Sequence, residues 1–236
     1  LYTPQLIFIT QMDCVSKMNK LLTSMFAMAV ASVTAISVHA QDVKGDAKAA
    51  EQKIAMCIGC HGIKGYQASF PEVYRVPMIS GQNAKYIVSA LNAYKKGERK
   101  HPTMRGIADS LSDQDMADLG AYYELHGKTE PVATAPKAAD AKVAALLQKG
   151  ACISCHGDNF SKPIDPSYPK IAGQHKDFLF VALKSYKVEN QATWGRSNGV
   201  MGGIAKQFSN AELKAMANYI GTLDGDMKTL PQSKFR

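Results

Sequence analysis

Cysteine is nearly absent outside two short segments. Of the five cysteines, Cys14 stands alone near the N-terminus, and Cys57, Cys60, Cys152 and Cys155 fall into two patterns of identical spacing. No cysteine is spare for a disulfide framework, which excludes a disulfide-stapled secreted domain. Apolar–polar alternation of period two is also scarce, so the βαβ scaffold of thioredoxin-like redox proteins has no place here. One apolar run, Leu21 to about Ala35, stands out, and it is short for a membrane-spanning helix. No other stretch is apolar enough to span.

The chain does not begin with methionine. Residues 1–17 read as an upstream extension. From Met18 onward the parts of a secretory signal follow in order. Lys20 supplies the positive region, the apolar run comes next, and Val38-His39-Ala40 is a small-x-small cleavage site. Cleavage after Ala40 places the protein in the periplasm, with an uncleaved anchor as the alternative. The formal net charge is +8, and loss of Lys17, Lys20 and Asp13 lowers it by one. A modest basic excess suits docking on acidic protein surfaces, while an exported chain has little use for nucleic-acid binding.

What the chain does contain is Cys57-Ile58-Gly59-Cys60-His61 and Cys152-Ile153-Ser154-Cys155-His156. Both are C-x-x-C-H runs, the attachment pattern of c-type haem. Two thiols three residues apart share one side of a helical turn, where both can add to the vinyl groups of one haem. The adjacent imidazole then reaches the iron. Two runs imply two covalently bound haem c groups. A redox C-x-x-C pair has no need of the histidine, and zinc requires four ligands at each site.

Aligning the two runs exposes an internal repeat. Pro77-Met78-Ile79-Ser80-Gly81-Gln82 recurs as Pro169-Lys170-Ile171-Ala172-Gly173-Gln174. Tyr86, Leu91 and Tyr94 correspond to Phe178, Leu183 and Tyr186 at helical spacing, so each Gly-Gln pair opens an amphipathic helix. Met104-Arg105-Gly106-Ile107-Ala108 matches Met201-Gly202-Gly203-Ile204-Ala205. Capping boxes at Ser112/Asp115 and Ser209/Glu212 then start the last helices, expected to run to about Leu125 and Leu223. The predicted fold is all-α, two tandem domains at 41–130 and 140–236 behind the 1–40 leader. A Pro- and Ala-containing linker at 131–139 joins them. Each domain is small, with a core completed by its haem.

The repeat also selects the second iron ligand. Met78 corresponds to Lys170, Met56 to Ala151, Met116 to Leu213 and Met216 to Leu119, and Met227 lies past the last helix. Only Met104 and Met201 correspond to each other, both expected in glycine-containing loops. Soft thioether sulfur stabilises ferrous iron, so the axial pairs are His61/Met104 and His156/Met201. His101, His126 and His175 have no matching histidine and read as surface residues. Lys95, Lys96, Arg99 and Lys100 form a basic cluster before Met104. It reads either as a solvated helix end or as a patch steering acidic partners to the first haem.

These motifs resemble a dihaem class I cytochrome c of the cytochrome c4 type over nearly all of residues 41–236. The resemblance implies two class I cytochrome c domains related by a pseudo-twofold. It also implies a periplasmic electron carrier between redox proteins, from a cytochrome bc complex or a dehydrogenase to a terminal oxidase. Membrane contact would come only through membrane-bound redox complexes. The chain departs from a strict repeat in two places. The segment 61–81 is longer than 156–173, and the stretch from Gly173 to Met201, which holds Trp194, is longer than that from Gly81 to Met104. A dihaem peroxidase or thiosulfate dehydrogenase is the enzymatic alternative. A peroxidase needs an iron that can lose its distal ligand, and no cysteine remains to serve a thiosulfate-oxidising haem. A dedicated cytochrome subunit of a dehydrogenase is a third possibility.

Overall fold

The computed structural model describes residues 43–128, 137–189 and 191–231. The leader, its cleavage site, Cys14 and most of the expected linker lie outside the described residues. In the first half, helices α1 (Ala47–Ala50) and α2 (Ala55–His61) precede α3 (Ala84–Lys95), α4 (Pro102–Asp109) and α5 (Asp113–Leu125). The second half runs α6 (Ala141–Lys149), α7 (Ile153–His156), α8 (Lys176–Ser185), α9 (Gly199–Ala205) and α10 (Asn210–Ile220). Among the described residues strands are confined to four two-residue pieces, β1 (Gln67–Ala68), β2 (Tyr74–Arg75), β3 (Arg99–Lys100) and β4 (Gly195–Arg196).

Local chemistry sets the helix boundaries. Both capping boxes are present. Ser112 Oγ accepts from Asp115 N at 3.1 Å while Asp115 Oδ2 accepts from Ser112 N at 2.9 Å. Ser209 and Glu212 make the same exchange. α5 ends at Leu125 as expected, whereas α10 stops at Ile220 and tightens into a turn through Leu223 N donating to Ile220 O.

The segments holding Met104 and Met201 are not loops. Each methionine is the third residue of a short helix, α4 or α9. The sequence signal was a cap that glycine obscured. His101 and Asn198 have extended backbones, and their side chains accept from Met104 N (3.4 Å) and Met201 N (2.9 Å). Pro102 at the first turn of α4 has its φ preset for a helix. The glycines cost helix propensity, offset by complete burial of Ala108 and Ala205 on the inner faces.

In the first half α5 packs on both α3 and α1, and in the second α10 packs on α8 and α6. Met116, Leu119 and Tyr123 of α5 join Ile87 and Leu91 of α3 in one cluster. Their equivalents Leu213, Met216 and Ile220 anchor α10. The halves are joined by side chains from both sides. β3 pairs antiparallel with β4, Arg99 opposite Arg196. Arg75 Nε donates to Asp177 Oδ2 at 2.9 Å, and Lys184 Nζ donates to Glu72 Oε1 at 2.6 Å.

The repeated Gly-Gln pair explains itself at this junction. Gln82 Nε2 donates to Lys170 O (2.9 Å) and its Oε1 accepts from Lys170 N (2.9 Å). Gln174 does the same with Met78 O (2.9 Å) and Met78 N (3.0 Å). The two buried amides thus exchange backbone bonds between the halves, and both approach the sulfur of buried Met227. The preceding glycines have positive φ, +86° at Gly81 and +70° at Gly173. A Cβ there would lie 2.5 Å from Asp226 O and 2.8 Å from Leu223 O, so only glycine admits the close approach.

Candidate functional site

The first C-x-x-C-H run occupies α2, and the second begins at the N-terminal end of α7 and closes with that single turn. All four cysteines are partly buried and none is paired in a disulfide. Burial pushes the Cys57 thiol up to about 11 and also raises Cys152. A reactive redox pair needs a depressed thiol pKa, and this environment does the reverse. Among the described residues no three His, Cys, Asp or Glu side chains gather as a metal-binding group, so neither run has the further ligands zinc would need.

Each motif histidine is held in one orientation. His61 Nδ1 lies 2.8 Å from Pro77 O, and His156 Nδ1 lies 3.0 Å from Pro169 O. A carbonyl only accepts, so Nδ1 carries the proton and Nε2 is left with its lone pair. Burial holds both imidazoles below the ordinary histidine value, the carbonyl bond opposing it. Both rings are therefore neutral and oriented by a backbone partner, as metal-bound histidines are. The repeated Pro of the P-x-I-x-G-Q segments is the residue that sequence reasoning left without a role. Its recurrence at a fixed place before Gly-Gln was the available signal.

His61, Met104, His156 and Met201 all line one continuous cavity of about 960 Å³, together with all four motif cysteines. The volume is at the upper end of ligand cavities. Ile79, Ile87 and Leu91 on one side and Leu179, Leu183 and Ile204 on the other give it apolar walls. Two thiols on one turn, a neutral imidazole with Nε2 free and a thioether across an apolar space suit a haem in each half. Arg99 Nε, sealed from solvent without a hydrogen-bond partner, suits the acidic edge of such a group. The structure thus brings together every residue selected from the sequence.

Two expectations are corrected. The basic cluster before Met104 is not an exposed patch. Lys95 Nζ donates to Leu111 O and Lys100 Nζ to Gln191 O of the second half, each at 2.5 Å. Arg99 lines the cavity, and only Lys96 of the four is exposed. Nor are the three other histidines free surface residues. His101 caps α4, His126 Nδ1 lies 2.8 Å from Ser80 Oγ, and His175 is half-buried before α8. Arg196, which shares the cavity, was missed because no neighbouring basic residue marked it.

Comparison with known proteins agrees with this arrangement. The family model for cytochrome c matches twice, at residues 47–124 and 141–224. Cytochrome c4 of Stutzerimonas stutzeri is 30% identical over 218 residues, covering 86% of this chain and 98% of that protein. The thiosulfate dehydrogenase electron acceptor of S. stutzeri strain A1501 is 28% identical, covering 76% and 83%. The crystal structure of reduced recombinant cytochrome c4 from Pseudomonas stutzeri superposes with a TM-score of 0.58 at 28% identity, covering 76% of this chain and all of that one. With two tandem family matches, each over one C-x-x-C-H run, the chain belongs to the cytochrome c family as a two-domain electron-transfer protein of the cytochrome c4 type with two covalently bound haem c groups.

Proposed function

We propose that the protein is a periplasmic carrier that passes single electrons between redox proteins. It would take them from a cytochrome bc complex or a dehydrogenase and deliver them toward a terminal oxidase. Cys57 and Cys60 hold one haem through thioethers, and Cys152 and Cys155 hold the other. His61 with Met104 and His156 with Met201 supply the axial ligands. Domains at 41–130 and 140–236, joined by 131–139, carry one site each. The observation that carries the reading is the duplicated geometry. In each half a histidine is fixed by a proline carbonyl, and a methionine at the start of a capped helix lines the same cavity.

When bound, the haem supplies a reversible one-electron iron couple. The chain's contribution is to keep coordination fixed, so that little rearranges when the charge changes. The carbonyl bonds prevent the imidazoles from rotating, and the caps on α4 and α9 hold the methionines. The leader supports export, and among the described residues no helix is long and apolar enough to cross a membrane. The likeness to a protein named as an electron acceptor of thiosulfate dehydrogenase favours a dehydrogenase among the donors. Partners with acidic surfaces suit the basic excess of the chain.

Intact-mass measurement of the exported protein tests the assignment. Two haem additions that survive acid–acetone extraction are expected, with peptides carrying them at Cys57/Cys60 and Cys152/Cys155. Extractable haem, or one addition, overturns it. Fast electron exchange with a small redox protein, against slow turnover of peroxide and thiosulfate, separates the carrier from the enzyme.

A further inference from the structure

Two arginines face each other where the halves meet. Arg99 stands five residues before Met104, and Arg196 five before Met201. The β3–β4 pairing sets them directly opposite across the junction. Like charges at directly opposed positions of an antiparallel pair are unfavourable. Nothing acidic offsets them: among the described residues no carboxylate lies within ion-pair distance of either. Arg99 lies over the Tyr94 ring, 4.6 Å from its centroid, and donates to Tyr86 Oη at 3.1 Å. Arg196 lies over the equivalent Tyr186 at 5.3 Å. These contacts leave Arg99 Nε buried and without a partner. Both side chains line the cavity shared by the two C-x-x-C-H runs.

A guanidinium nitrogen buried without a partner is costly, and a second guanidinium in register with it adds like-charge repulsion. Backbone pairing of β3 with β4 needs no guanidinium, and the bonds to tyrosine hydroxyls, Arg99 to Tyr86 and Arg196 to Tyr186, leave Arg99 Nε unused. Burial tends to raise the Tyr86 phenol, but the positive charges of Arg99 and Arg196 outweigh it and hold it below its ordinary value. The region is short of negative charge. A guanidinium fork matches a carboxylate with two parallel bonds, and haem c carries carboxylates on its propionate edge.

We propose that Arg99 and Arg196 form one shared carboxylate seat that takes a propionate from the haem of each half. Each iron then responds to the same pair of positive charges, and the two redox steps are coupled through them. The inference rests on the dihaem reading above and adds to it a positioning pair at the junction.

The test uses the purified dihaem protein and the variants R99Q and R196Q. Haem is counted by pyridine haemochrome, and the far-red sulfur-to-iron band reports methionine ligation. Spectroelectrochemical titration then follows both redox steps. Each single variant is expected to keep two haems and the far-red band, yet to move both steps to lower potential, since positive charge favours the reduced iron. At a fixed electrode potential the oxidised-to-reduced ratio of both haems should rise severalfold. A shift in one step only, or in neither, overturns the shared seat, as does a shift that comes with loss of the band. If the glutamine variants do not accumulate, R99K and R196K carry the test. They keep the charge but lose the fork, and a smaller shift of both steps is expected, no shift overturning the proposal. Fewer than two haems in the unsubstituted protein overturns the dihaem reading itself.

Discussion

The two halves hold their motif histidine and repeat methionine in the same way on different supports. In both, a proline carbonyl fixes the motif histidine, a polar side chain caps the methionine helix, and a lysine closes the turn before the last helix. Lys95 reaches Leu111 O, and Lys187 reaches Phe208 O at 2.7 Å. The chemistry of the supports differs. The methionine helix is capped by His101 in the first half and Asn198 in the second. Midway along the last helix, the first half has buried Asp118 where the second has Ala215. Asp118 accepts from Asp46 N at 2.8 Å, Gln114 Nε2 at 2.7 Å and Lys53 Nζ at 3.1 Å. It ties α1 to α5 through polar bonds, whereas the second half ties α6 to α10 through Leu146, Phe208 and Leu213. What the halves share is the set of motif residues that lines the cavity, and what differs is how the surrounding helices are fastened.

The sharpest break of that symmetry is at the methionines. Replacing Met104 or Met201 by alanine should remove about half of the far-red sulfur-to-iron band in each case, lower one redox step and open one iron to added ligands. Equal losses in the two single variants, with the band gone in the double variant, confirm one methionine per haem. The same loss on replacing Met227 would point to a different ligand, although the Met227 sulfur is engaged by Gln82 and Gln174.

The next contrast is in stability. Asp118→Asn leaves Asp46 N without its anionic partner and Lys53 with Asp115 alone, and should lower unfolding free energy by about 1–3 kcal/mol. The Asp118 carboxyl is held below its ordinary value: burial opposes this, but the bonds from Asp46 N, Gln114 and Lys53 outweigh it. A depressed folded pKa contributes stability that is present above the unfolded value, about 3.9 for aspartate, and lost as pH falls through the folded value. The gap between parent and variant in denaturant titrations should therefore stay constant near neutrality and narrow below about pH 4. Nothing comparable is expected for Ala215→Asn.

Much of this was legible in the chain. C-x-x-C-H spacing is local chemistry, and so are the capping boxes at Ser112 and Ser209. The repeat singled out Met104 and Met201 by correspondence alone. The helices around them were hidden because Gly106, Gly202 and Gly203 lower propensity while the stabilising burial of Ala108 and Ala205 is tertiary. The exchange between Gln82 and Lys170, or Gln174 and Met78, joins residues far apart in sequence. The repeated Gly-Gln pair announced a constraint but not its partner. The basic residues before Met104 misled for a related reason. Sequence shows that charges are adjacent, not that Arg99 enters the cavity while Lys95 and Lys100 reach neighbouring carbonyls.

That placement defines the smallest expected effect. A docking patch made of Lys95, Lys96, Arg99 and Lys100 would make association with an acidic partner depend on all four. With Lys95 and Lys100 tied to carbonyls and Arg99 in the cavity, Lys96 is the one fully exposed side chain of the four. A single exposed charge contributes little to long-range attraction and is screened within about 8 Å at physiological salt. Lys96→Glu should slow electron transfer from an acidic redox partner by about twofold or less at low ionic strength, with no difference at high salt. Lys95→Glu should instead loosen the turn at Leu111, and Lys187→Glu the equivalent turn at Phe208. Both should lower thermal midpoints by similar small amounts that added salt does not abolish. A large, salt-sensitive rate loss in Lys96→Glu would restore the first half as the docking side. Matching stability losses at Lys95 and Lys187, with little change in rate, would make these lysines fasteners that the repeat has kept in both halves.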